Sequence, residues 1–232
     1  MQSRQLAPAA PTSRWLRKYY FSLVSAFILA LSLWSFSDNL IWNVGQKSNH
    51  DPKFIIHGLF CLAWVLMLFV QANLVRAGNV RLHRTLGVVG LIAAVGVTLS
   101  TIHIFVVVWK GWDAMAFYLK ANRLLLPSYA LLVLLGYLNR KRRDWHRRFV
   151  YIATLFMLEP VLSRAFDPLE PLLTGLSESQ IDFYWWIFFV LVWNSLFLSL
   201  FVYDWIVEKR IHPVTAGGFA WFCAIWAVVL LV

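Results

Sequence analysis

The stretch HGLFCLAWVLMLFVQANLVR, residues 57–76, carries a formal charge only at its last residue, Arg76. An α-helix that crosses the hydrocarbon core of a bilayer needs about 20 predominantly apolar residues. The stretch therefore predicts a membrane-spanning helix. The rest of the chain repeats this composition, since 60% of its 232 residues are hydrophobic and only 14% are charged. These proportions exclude an ordinary soluble domain.

Apolar blocks of similar length, separated by short polar loops, predict seven spans. The alternative is a bundle of six spans with a terminal appendage, because the last block is short and contains glycine. The fold class is therefore all-α, a polytopic transmembrane helix bundle. Residues 1–17 are predicted to form a cytoplasmic tail, and residues 18–232 a single transmembrane domain. The predicted spans are 18–36, 54–75, 84–109, 121–138, 147–166, 183–207 and 214–232.

The distribution of lysine and arginine predicts the orientation. Fifteen of the 21 basic residues fall in loops and tails on one side of the predicted bundle, four on the other, and two inside spans. Basic residues in short loops stay cytoplasmic, which places the N-terminus inside and predicts a multi-pass protein of the cell (inner) membrane. The same rule explains the net charge of +10. The predicted partner is the lipid bilayer, and nucleic acid is excluded.

Six polar residues from five predicted spans lie in the outer third of the bilayer when each is placed by its rise of about 1.5 Å per residue. A charge near the bilayer centre costs at least about 2.5–3.5 kcal/mol, so such residues usually face a protein interior and mark a site. We therefore expect a polar pocket that binds a cofactor or ligand. Its residues are His57, His103, Arg123, Glu159, Arg164 and Asn194.

The segment ATLFMLEPVLSRAF, residues 153–166, contributes two of these residues. Pro160 has no N–H and obstructs a carbonyl of the preceding turn, which predicts a kink beside Glu159. Two arginines beside one carboxylate would hold Glu159 ionised and leave surplus positive charge. The pocket would then attract a small anionic solute. The alternative for each arginine is a side chain that snorkels to the membrane interface.

His57 and His103 lie at matched depth on neighbouring predicted spans. This pattern predicts axial ligands of a haem b, or two ligands of a metal ion. With a haem present, Arg123, Glu159 and Arg164 would bind its propionates, or would bind a quinone and handle its proton. The alternative is that each histidine makes a hydrogen bond at a helix interface.

A second group of polar residues lies at the predicted cytoplasmic rim. Its three histidines resemble a zinc ligand set, and a carboxylate is nearby. The surrounding arginines oppose a cation and favour phosphate headgroups of the anionic leaflet or packing of the loops. The rim residues are His83, Arg84, His146, Asp204 and His212.

Three motifs, LHRTLG (82–87), WHRRFVYIATL (145–155) and SRAF (163–166), resemble an uncharacterised group of bacterial multi-spanning membrane proteins. In that group a His-Arg pair opens one helix, a second histidine opens a later helix, and an arginine follows one helix length beyond. No activity is established for the group, so the resemblance indicates a location without a chemistry. The matching residues are His83, Arg84, His146 and Arg164.

More distantly, the opening stretch, followed by His83 and His103, resembles the histidine-bearing four-helix core of b-type diheme membrane cytochromes. The resemblance implies two axial pairs at two depths. His57 and His103 would form the outer pair, and His83 with His146 the inner pair.

Three functions stay open on these patterns. The first is a haem-linked redox protein, the second a transporter for a small anion or a proton-coupled solute, and the third a non-catalytic assembly protein. The sequence contains no P-loop, dinucleotide fingerprint, CxxC or HExxH motif to favour another class.

Overall fold

The computed structural model describes residues 11–231, and all regular structure within that range is helical. The predicted all-α polytopic bundle is confirmed. Short π and 3₁₀ turns lie in the loops at Asp38–Trp42, Lys47–His50 and Asp167–Leu173. The helices are α1 Pro11–Ser35, α2 Pro52–Arg76, α3 Val80–Val107, α4 Phe117–Leu138, α5 Arg143–Phe156, α6 Glu159–Ala165, α7 Glu178–Glu208 and α8 Pro213–Leu231.

Six of these helices are long and apolar enough to cross a membrane, namely α1, α2, α3, α4, α7 and α8. The fifth predicted span, 147–166, is broken. Helix α5 and the helical segment Glu159–Leu173, which begins with α6, are bent by 53° at the break between them. Most of the predicted cytoplasmic tail lies outside the described residues, and residues 11–17 form the first turns of α1.

Helices α2 and α3 form a close antiparallel hairpin. A Cβ atom added at Gly96 would lie 2.2 Å from the ring of Phe60, so only glycine permits this approach. Next to this contact, His57 Nδ1 lies 2.9 Å from Ser100 Oγ. The hairpin thus gives His57 a polar partner within the bundle.

The broken span is the most enclosed part of the chain. Residues 151–159, which include the break, are all buried. Aromatic side chains of α7 and α8 cover it, among them Trp193, Phe197 and Phe222, all buried. Because apolar residues surround it, any polar group in this segment must find its partners inside the protein.

The bundle has two chemically different ends. We call "basic end" the end that carries the loops 77–79, 139–142 and 209–212, where α2, α4 and α7 terminate. The opposite end carries the loops 36–51, 108–116 and 166–177. The break in the fifth predicted span lies inside the bundle, nearer to the opposite end.

Candidate functional site

The break between α5 and α6 follows from Pro160. The proline cannot donate a backbone hydrogen bond, and its ring obstructs a carbonyl of the previous turn. The backbone tightens there, with the Met157 amide donating to the Thr154 carbonyl (3.2 Å) and the Leu158 amide to the Leu155 carbonyl (3.3 Å). The predicted kink at this proline is present, as the 53° bend.

Tryptophan side chains satisfy the backbone of the broken segment. The indole N–H of Trp193 donates to the Leu155 carbonyl at 2.9 Å, and that of Trp34 to the Ala165 carbonyl at 3.0 Å. Non-helical backbone at membrane depth persists only where the surrounding protein or a water-filled cavity satisfies it. The bundle therefore holds the break in place from α1 and α7.

Glu159 is the first residue of α6, and only 2% of it is exposed. Its Oε2 accepts a hydrogen bond of 2.5 Å from Nδ2 of Asn122, which lies on α4 and is also buried. The other oxygen of each group, Glu159 Oε1 and Asn122 Oδ1, is buried and has no hydrogen-bond partner. Each side chain of the pair thus has one hydrogen-bonded atom and one unpaired oxygen.

This pattern matches a carboxyl group that can carry a proton. A buried carboxylate without a compensating charge is costly, and an unpaired buried acceptor adds to that cost. A proton on Oε1 would remove the charge and create a donor beside an amide that has an unused acceptor. The arrangement can therefore bind and release one proton in the interior of the bundle.

The two arginines expected beside Glu159 lie elsewhere. Arg164 points to the opposite end, where its Nη1 donates to Asn39 Oδ1 at 2.7 Å and lies 3.8 Å from Asp38 Oδ2. Arg123 donates from Nη2 to the Phe105 carbonyl at 3.1 Å, at the end of α3. Among the described residues, Glu159 forms no ion pair. Neither arginine thus lies beside Glu159 in the described part of the chain.

The ring of His57 contacts Ser100 and Cys61 in this arrangement. The hydroxyl of Ser100 donates to the Gly96 carbonyl (2.7 Å), so it accepts from His57 Nδ1. His57 Nε2 then faces the Cys61 thiol, with Sγ at 3.5 Å. Both ring nitrogens are engaged, and His103 is exposed on α3. Haem coordination stays a prediction, which the reduced-minus-oxidised visible spectra of the protein and of His57→Ala would test.

Asn194 bonds to neither Glu159 nor His57 among the described residues. Its amide donates to the Val190 carbonyl of its own helix at 2.8 Å. The side chain lines an apolar groove of about 340 Å³ between α7 and α8, beside Trp186 and Trp226. The six residues expected in one outer pocket are thus distributed over several surfaces.

The residues of the predicted rim divide into two groups. The first group is an ion-pair network around Arg148, whose Nε donates to Asp204 Oδ1 at 3.0 Å and whose Nη2 donates to Glu208 Oε1 at 2.8 Å. Asp204 Oδ2 accepts from the His212 amide at 3.0 Å and from Thr215 Oγ1 at 2.6 Å. Arg148 and Asp204 are both 0% exposed, so this network joins α5, α7 and α8 in the interior.

The second group is a pair of histidines, His83 and His146, whose ring centroids are 6.4 Å apart. His146 Nδ1 lies 2.9 Å from the Gly136 carbonyl, while His83 Nδ1 is buried without a partner. Arg84 is exposed. Within residues 11–231, no three His, Cys, Asp or Glu side chains are placed to hold a metal ion.

Sequence reasoning missed the partner of Glu159. Asn122 is the one amide side chain in the apolar helix α4. Its only signal in the sequence is its spacing, seven residues before Tyr129 and fourteen before Gly136. Such a spacing keeps residues on one face of a helix. The central role of Arg148 was also missed, because its neighbours in sequence are equally basic.

These features define the class of protein: a multi-pass α-helical membrane protein whose broken span buries a carboxyl group. Comparison with protein-family models, curated proteins and solved structures finds no match.

Proposed function

We propose that this protein is a transporter that moves protons across the membrane, and that Glu159 takes up and releases the transported proton. The observation that carries the proposal is the unpaired Oε1 of a buried Glu159 at the break of a span. Ionisable groups within membrane spans commonly mark ion or proton pathways. Discontinuous helices commonly form the binding sites of secondary transporters.

The surroundings of Glu159 support a proton as the transported ion. A carboxylate that binds a metal cation needs several oxygen ligands around the ion, whereas within residues 11–231 one amide nitrogen is the only hydrogen-bond partner of Glu159. A single proton completes the hydrogen bonding of the pair without further ligands. The positive-inside rule predicts that the basic end faces the cytoplasm. The proton would enter or leave the bundle at that end.

The test is proton uptake into liposomes that contain the purified protein and a pH-sensitive dye, driven by a potassium diffusion potential. Glu159→Gln keeps the size of the side chain and its hydrogen bond to Asn122 but cannot carry a proton. We expect the rate to fall by about a hundredfold or more, in line with the loss of a positioned group that transfers protons.

The matched control is Glu170→Gln, because Glu170 is an exposed carboxylate in the loop after α6. This variant should take up protons at the rate of the unchanged protein. Uptake that is equal in the Glu159→Gln variant and the unchanged protein would contradict the proposed function. It would favour an assembly role in which Glu159 only fixes helix packing.

A further inference from the structure

We infer that protons reach Glu159 from the basic end along a stripe of α4, with the hydroxyl of Tyr129 as the central relay. This inference rests on the proposed function. It adds a route and a direction of entry to the site at Glu159.

The stripe consists of Asn122, Tyr129 and Gly136, which are spaced seven residues apart on α4. Seven residues turn an ideal helix to within about 20° of its starting direction. They also advance it by about 10 Å. Tyr129 and Gly136 therefore face nearly the same way, while Pro127 interrupts the hydrogen bonding of the helix between Asn122 and Tyr129. The three residues lie at three successive depths along α4.

Contacts with other helices fix what lies at each depth. At the first depth Asn122 meets Glu159, and at the third the Gly136 carbonyl meets His146. At the middle depth the ring of Tyr129 packs edge-on against Trp64, with centroids 5.4 Å apart. Trp64 in turn donates from Nε1 to Thr154 Oγ1 at 3.2 Å.

Each of these depths carries a buried polar atom without a partner. At the outer depth these are the oxygens of Glu159 and Asn122 described above. At the middle depth it is the hydroxyl of Tyr129, a residue that is 0% exposed. Near the basic end they are His83 Nδ1 and both side-chain polar atoms of Gln71, whose backbone contacts the ring of His83.

Buried polar groups in folded proteins nearly always have a partner, and where the protein offers none an ordered water commonly serves. Unpaired groups at one site could reflect a local packing fault. Here they recur at three levels between the basic end and Glu159, on α2 and α3 at Gln71 and His83, on α4 at Tyr129, and at the pair of Asn122 and Glu159. This is the arrangement that a chain of hydrogen-bonded water molecules requires.

Each transfer step conserves protons and O–H bonds. The Tyr129 hydroxyl accepts a proton from a water on its basic-end side and releases its own proton to a water on the other side. One O–H bond forms as another breaks, and the tyrosine stays neutral. The last water delivers a proton to Glu159 Oε1. Each interval of about 10 Å needs about two or three waters at ordinary hydrogen-bond spacing.

The chain offers a matched pair of variants for the test. Tyr129→Phe and Tyr203→Phe each remove one buried hydroxyl that has no hydrogen-bond partner. Tyr203 is 1% exposed and lies on α7, away from the α4 stripe. Both substitutions keep the ring and delete no hydrogen bond in the protein. We therefore expect both variants to fold.

In the liposome assay with a potassium diffusion potential, Tyr129→Phe should slow proton uptake by about a hundredfold or more, which is the size typical of the loss of a positioned proton-transfer group. Tyr203→Phe should leave the rate unchanged. Gln71→Leu is a second variant on the route and should also slow uptake. Infrared difference spectra should still detect a protonated carboxyl in Tyr129→Phe, because the relay changes the rate and not the acceptor.

The possible failures are distinguishable. If Glu159→Gln abolishes uptake while Tyr129→Phe and Gln71→Leu both proceed at the full rate, this route is overturned and the proposed function stands. If Glu159→Gln itself has no effect, the proposed function fails, and this inference fails with it. Equal slowing by Tyr129→Phe and Tyr203→Phe would overturn the assignment of Tyr129 as a specific relay.

Discussion

The broken span carries two buried ionisable groups that differ in how they are satisfied. Arg148, near the start of α5, forms ion pairs with Asp204 and Glu208 and donates a further hydrogen bond to the Asp144 carbonyl. No side-chain polar atom of Arg148 or Asp204 lacks a partner. Glu159, at the start of α6, has a single neutral partner and one unpaired oxygen.

This difference separates a group that stabilises the fold from one that is available for chemistry. A buried ion pair with all its hydrogen bonds made is costly to disrupt, because removing one member leaves the other charged and unpaired. A half-satisfied carboxyl can gain a proton and improve its hydrogen bonding. We therefore expect substitutions at the Arg148 network to affect stability, and substitutions at Glu159 to affect proton movement.

The largest effect on stability should come from Arg148→Leu. The substitution leaves Asp204, which is 0% exposed, without its positively charged partner. Breaking a buried ion pair in this way lowers the free energy of unfolding by about 3–5 kcal/mol. Denaturant titration in mild detergent would measure the free energy of unfolding. Arg143→Leu is the control, because Arg143 is exposed and should change it little. Equal losses in the two variants would contradict the central role of Arg148.

A smaller loss should follow Thr215→Val. The hydroxyl of Thr215 donates to Asp204 Oδ2, and its removal leaves this buried oxygen with one donor fewer. The expected decrease in the free energy of unfolding is about 1–3 kcal/mol. Thr174→Val, at an exposed site in the loop before α7, should be close to neutral. A neutral Thr215→Val would mean that the His212 amide alone satisfies this oxygen.

The stability of the network should also depend on pH through His212. Burial, and then the nearby Arg148 charge, lower the pKa of His212 below its ordinary value of 6.5, and its Nδ1 accepts from the Val214 amide at 3.2 Å. As the pH falls below 6.5, the unfolded chain binds the proton first, so the free energy of unfolding should decrease until the folded pKa is reached. Unfolding titrations of the protein and of His212→Asn between pH 5 and 8 would measure this. An identical pH dependence in both would exclude His212 as the cause.

The smallest effect on stability should come from Glu159→Gln. The glutamine keeps an acceptor for Asn122 Nδ2 and adds an amide donor next to the unused Asn122 oxygen. We expect a change of less than about 1 kcal/mol in the free energy of unfolding. The same variant should nevertheless lose proton uptake. A loss comparable with that of Arg148→Leu would remove the contrast between the two sites and assign Glu159 to the structural framework.

The depth of each polar residue could be predicted from the sequence, but its direction could not. The rise of a helix fixes how far Glu159 and Arg164 lie from the membrane surface, and both were expected at similar depths. The break at Pro160 reorients α6, so Arg164 reaches Asn39 at the opposite end while Glu159 faces Asn122. The rotation of a short helix after a break depends on what packs against it, here Trp34 and Trp185.

The sequence by itself determined the all-α class, the helices that can span a membrane, the kink at Pro160 and Glu159 as a candidate residue. These follow from local quantities, namely the length of an apolar block, the geometry of proline and the cost of a charge in lipid. Only the tertiary structure decided that Asn122 pairs with Glu159 and that Arg148 pairs with Asp204. A side chain on one helix selects its partner on another by the rotation and spacing of both, and those are set by the packing of the whole bundle.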